Sequence, residues 1–136
     1  MPGFLNMPLM GIGSAVAIVT TTETVVATSS PINADNLEQY VSIEGLLDLT
    51  VGTAGTTVTL RLRRGTTTAG TLISQLNTWG PFTVTATNRV NFAIGGYDVP
   101  GLSGGIQYVL TVAVASATGN STANSAAIQA ITSQAT

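Results

Sequence analysis

Glu44 and Asp48 are the two side chains whose type and spacing come nearest to a catalytic pair. Both occupy even positions of a two-residue alternation, so a strand would present the two carboxylates on one face. Paired carboxylates drive glycoside hydrolysis, one as acid and the other as base or nucleophile. Four residues along a strand, however, place them ~13 Å apart, beyond the roughly 5 to 9.5 Å that retaining or inverting hydrolysis uses. The pair therefore reads as structural. A second cluster, Asn33, Asp35, Asn36 and Glu38, has the oxygen-rich crowding of a Ca²⁺ loop. It lacks the D-x-[DN]-x-[DN]-G alternation and the closing bidentate Glu, so an Asx-turn or one capped turn is expected there and no metal site.

The chain has no His, no Cys and no Lys; Arg61, Arg63, Arg64 and Arg89 supply all its basic side chains. That removes Ser-His and Cys-His nucleophilic catalysis, lysine Schiff bases, disulfides and thiolate metal sites. No enzymatic activity and no cofactor are expected. Nucleic-acid binding is disfavoured as well, because neutralising phosphates takes a basic stripe, and here six acids outnumber four arginines. Charged residues make up 7% of the 136, against roughly 25% in ordinary soluble domains. A surface built mainly from Thr, Ser, Asn, Gly and Ala suits a protein that spends its life packed against copies of itself or a partner.

Alternation puts Arg61 and Arg63 on one strand face and Arg64 on the other. The first two could hold an anion or form an interface-facing edge. Trp79 and Tyr97 fall in expected loops, where an aromatic side chain can stack on a sugar ring, anchor a subunit contact or close the end of a core. Gly11-Ile-Gly13 opens like a dinucleotide fingerprint but has neither a strand before it nor a third glycine in place. Asn120-Ser-Thr122 is a glycosylation sequon by pattern alone.

These residues must be positioned by strands. Residues 40–51 place Val41, Ile43, Leu47, Leu49 and Val51 on one face and Tyr40, Ser42, Glu44, Asp48 and Thr50 on the other, with Leu46 the single exception. Beyond a Gly52-Thr-Ala-Gly55 break, Val58, Leu60 and Leu62 resume the pattern, and the two runs read as a long hairpin sharing one buried face. A turn at Ala54-Gly55 would set Asp48 opposite Arg61. Shorter strands are expected over residues 14–20, 24–29, 71–76, 82–87 and 90–94, a central strand over 106–115 and a weak final one over 126–133. Residues 77–81, 95–105 and 118–125 read as loops. About eight strands and no helix give an all-β, two-sheet sandwich of jelly-roll order, with an immunoglobulin-like sandwich as runner-up.

Residues 1–13 form an apolar arm ahead of this single domain of residues 14–136. Phe4, Leu5, Met7, Leu9 and Met10 are interrupted by prolines and glycines, which bar a helix or a central strand. The arm has no basic n-region and no unbroken run of the ~20 apolar residues a membrane span needs, so neither a signal peptide nor a membrane span is expected. It must be covered by some other surface.

With TVTLRLRRGTTTAG at 57–70 and YVLTVAVASATGNST at 108–122, in a Thr-rich chain without His or Cys and behind an apolar arm, the sequence resembles the small single-jelly-roll decoration or cement proteins of tailed-bacteriophage capsids. The resemblance implies a non-enzymatic structural virion protein on the outer capsid surface. It would form a homo-oligomer, a trimer in preference to a dimer, over junctions of the major capsid protein and stabilise that shell. The family offers no catalytic motif to carry over. Contact residues expected on this reading are the five apolar arm residues together with Arg61, Arg63, Trp79 and Tyr97. The alternative is a carbohydrate-binding or adhesin-like sandwich using Trp79 and Tyr97 as its platform.

Overall fold

The computed structural model describes residues 10–11, 16–19, 21–34, 40–52, 55–85, 89–101, 104–115 and 121–133. Among them every regular element is a strand and every pairing is antiparallel. One sheet runs β1 (Met10–Gly11), β12 (Ser121–Ser133), β5 (Tyr40–Thr50), β9 (Arg89–Asp98), with β2 (Val16–Ile18) also on β12. The facing sheet runs β3 (Thr24–Thr28), β11 (Tyr108–Ala115), β6 (Thr56–Arg64), β7 (Thr71–Leu72), with β8 (Thr78–Val84) also on β6. A small third pairing joins β4 (Ile32–Ala34) to β10 (Gly104–Ile106). Setting aside the short β1, β4, β7 and β10, the order 2-12-5-9 over 3-11-6-8 is the eight-stranded jelly roll.

The alternation in residues 40–64 does what the sequence predicts for burial and something else for pairing. Val41, Ile43, Leu47 and Leu49 are buried on β5, as are Val58, Leu60 and Leu62 on β6. The two strands nevertheless lie in opposite sheets, so the expected hairpin is a crossover. Fully buried Val51 carries the chain over the end of the core, and Gly55, at φ 84°, donates its N–H to Val84 O at 2.7 Å. Both arrangements put the same side chains in the core, and alternation alone cannot separate them. Gly45 faces inward: a Cβ there would meet Leu110 Cδ2 of the other sheet at 3.2 Å, so its missing side chain is filled by leucine from across the sandwich.

Three stretches expected as loops are partly strand, and β8 takes in residues 77–81 from Thr78 onward. β12 begins at Ser121, and its register shifts between Ala123 and Ser125. That bulge moves the buried set from Ser121 and Ala123 to Ala126, Ile128 and Ala130, which breaks the two-residue signal midway. β9 continues through Gly95, Gly96 and Tyr97 to Asp98. A Cβ at Gly96 would collide with the carbonyl oxygens of Gln75 and Leu76, so glycine here admits the neighbouring segment to the strand edge. The central role expected of residues 106–115 holds: β11 lies between β3 and β6, and its outward-facing Val109 and Thr111 are as fully buried as its core residues.

Candidate functional site

Each arginine is committed to a carboxylate of the same chain. Arg63 grips Glu23 with two bonds, Nε to Oε2 at 2.7 Å and Nη2 to Oε1 at 3.0 Å, and caps Gly70 O with Nη1; Arg61 reaches Glu23 Oε1 at 3.3 Å. Burial alone would raise the Glu23 pKa, but hydrogen bonds from Arg63 and Thr111 and the two nearby positive charges bring it below the usual carboxylate value. This cluster covers Thr111 on the outer face of β11. Arg89 forks onto Asp48, with Nε 2.9 Å from Oδ1, and Asn124 at the β12 bulge donates to Thr50 Oγ1 at 2.7 Å. The expected Asp48–Arg61 pairing is therefore corrected: their strands sit in opposite sheets, and each has another partner. Because Arg89 is two-thirds exposed, Asp48→Ala and Arg89→Ala should each leave the thermal midpoint nearly unchanged by calorimetry.

Arg64 points the other way, as alternation requires, into a buried polar knot. Its Nε and Nη2 bind Asp98 Oδ2 and Oδ1 at 2.8 and 2.9 Å. Ser74 gives Oδ1 both its N–H and its hydroxyl, and Tyr108 donates its hydroxyl to Oδ2 at 2.8 Å. Asp98 is fully buried. Desolvation works against its charge, yet the bonds from Arg64, Ser74 and Tyr108 prevail and hold its pKa below the ordinary value. The same burial, with the carboxylate beside it, drives the Tyr108 pKa well up. Every acceptor is used, so the knot ties β9 of one sheet to β6 and β11 of the other and offers no group to a substrate.

The contact residues expected from sequence are dispersed. Phe4, Leu5, Met7 and Leu9, like Asp35, Asn36, Glu38 and Asn120, lie outside the described residues. Met10 sits in β1, paired with Ile128 on the edge of the chain's own sheet. Trp79 is in β8, not a loop, partly buried against the core. Tyr97 is on the outer face of β9 in the opposite sheet, edge to face with Tyr40 at 5.8 Å. The platform expected from Trp79 and Tyr97 together is thus not assembled. Among the described residues no group of His, Cys, Asp and Glu could hold a metal.

One surface feature was flagged only by a break in pattern. Leu46, the exception in the β5 alternation, stands 55% exposed. It lies in a shallow depression of about 490 Å³ on the outer face of the first sheet, lined also by Asp48, Asn91, Ala93, Ser125 and Ala127. Its single carboxylate is already held by Arg89, so the depression suits apolar contact and not acid–base work. Phe82 of β8, 43% exposed, stacks on Phe92 of β9 at 5.8 Å along the open side of the sandwich.

Compared with known proteins, the sequence matches no family model and no curated protein. The fold is similar to that of capsid protein structures of infectious bursal disease virus. The Gt strain structure aligns at TM-score 0.58 with 10% identity, covering 93% of this chain and 33% of that one. The VP2 subviral particle aligns at 0.55 with 11% identity, covering 92% and 33%, and the Gx strain structure at 0.53 with 12% identity, covering 91% and 33%. The chain spans about a third of the length of those viral chains. At such identities the likeness establishes a shared jelly-roll sandwich.

Proposed function

We propose that this chain is a non-enzymatic structural virion protein, a decoration or cement protein that sits on the outer surface of a capsid and stabilises the shell. What supports the reading is the jelly-roll fold shared with viral capsid chains, in a chain whose surface is nearly uncharged and whose arginines are all spent on internal pairs. A surface without free cations does not steer towards nucleic acid or acidic membranes. It holds partners by apolar and backbone contacts instead. The partners are the major capsid protein and further copies of this chain, as a trimer in preference to a dimer.

The test is co-sedimentation of the purified chain with capsids of the same virus stripped of it, after its mass is measured by light scattering. Attachment should survive about 1 M salt, where screening reaches ~3 Å. A monomer that stays in the supernatant, or attachment lost on adding salt, would overturn the reading. The exposed Tyr40–Tyr97 pair is the feature that favours a glycan-binding alternative, and saturable binding of a soluble glycan to the isolated chain would be its mark.

A further inference from the structure

Strand β9 is an edge built to be paired, and we propose that it receives residues 4–7 of a second copy's N-terminal arm as an added strand. The proposal rests on the homo-oligomer in the reading above and names the contact that makes it.

The phase of the edge is set by one bridge. Tyr97 donates its N–H to Gln75 O at 3.2 Å and accepts from Gln75 N at 3.0 Å, on the side of β9 away from β5. Backbone groups alternate sides along a strand, so Asn91, Ala93 and Gly95 turn their N–H and C=O groups the same way. Among the described residues no strand lies there: β9 pairs only with β5. Exposed edges are normally blunted by Pro, Lys or covering elements. β8, the edge of the facing sheet on this side, contains Gly80 and Pro81, whereas residues 90–97 of β9 contain neither a charge nor a proline. Next to the slot, Ala93 of β9 borders the depression on the outer face, and Phe82 stacks on Phe92 along the open side of the sandwich.

The occupant follows from length. Gln75 already holds the rung at Tyr97, so a second β9 laid antiparallel about Ala93 would drive its Arg89 into Gln75. A strand of four or five residues fits the open rungs, and Phe4-Leu5-Asn6-Met7 is an uncharged, proline-free run of that size. The chain's own arm cannot supply it. β1 lies on the far edge beyond β12 and β5, so the slot is four strand spacings away, ~19 Å. Three residues from Met10 back to Met7 reach at most ~11 Å. The strand must come from another copy, giving a head-to-tail contact that closes as a ring where the rotation permits.

The absence of cysteine allows a clean test on the purified chain, without any capsid. Leu5→Cys and Asn6→Cys variants are each mixed with an Ala93→Cys variant and oxidised. Disulfide-linked heterodimer should form in at least one mixture, and not when Ala93→Cys is replaced by Val19→Cys at the opposite side of the sheet. Removing residues 1–9, and separately Ala93→Pro, should each weaken self-association roughly tenfold or more in light scattering, with circular dichroism reporting the fold intact. A predominance of Ala93–Ala93 homodimer, no heterodimer in either mixture, or unchanged self-association in the truncated chain would overturn the proposal. Capsid attachment is measured separately, so its loss or survival bears on the reading above and not on this contact.

Discussion

Replacing Asp98 with alanine is expected to cost about 3 to 5 kcal/mol, the loss seen when one member of a buried ion pair is removed and its partner is stranded. Arg64, Tyr108 and two donors of Ser74 all close on that carboxylate. Urea denaturation measures the loss; a cost under about 1 kcal/mol would mean that water replaces the carboxylate. The knot also fixes an acid limit. Because the folded-state pKa of Asp98 lies below its unfolded value, its contribution is complete above about pH 4 and disappears as pH falls through the folded value. Asp98→Asn should therefore be less stable near neutrality and lose less than the parent chain as pH falls below about 4. Glu23 and Asp48, also depressed, retain their share in both proteins, so the difference between the two curves isolates Asp98.

Leu49→Ala and Leu60→Ala should each destabilise the domain by about 2 to 5 kcal/mol, the transfer and cavity cost of a buried leucine. The two come from opposite sheets, and both are wholly buried in the single core between them. Leu46→Ala, three residues from Leu49 but on the outer face, should change stability by no more than about 0.5 kcal/mol. Denaturant melts of the three variants under one set of conditions decide the matter. Equal losses at Leu46 and Leu49 would show that the faces of β5 are assigned wrongly.

The layered fold was legible because β5 and β6 carry their alternation in β-branched and leucine side chains over many residues, and because β11 is apolar on both faces. Strand partnership was not, since a hairpin and a crossover between sheets bury identical positions. β12 was half hidden: its apolar face is mostly alanine, and the bulge after Ala123 shifts the parity of the buried set. Asp98 was invisible as an anchor because its partners lie far away in sequence, although the opposed faces of Arg63 and Arg64 already implied that Arg64 pointed inward. Leu46 was the one surface clue in plain view, as the apolar residue that breaks an otherwise regular face.

In the jelly-roll order, every connection between successive principal strands crosses from one sheet to the other, except β6 to β8. Among the principal strands only β6 and β8 can pair as chain neighbours. Chain closure over long separations must come before the contacts that repay it, so folding is expected to be slow and all-or-none, with both sheets consolidating together. Until that moment the uncharged run of β9 and the apolar alternation of β5 are available to other chains. A protein of this topology crosses its most vulnerable interval just after synthesis, and only the finished sandwich confines its open pairing groups to strand edges such as that of β9.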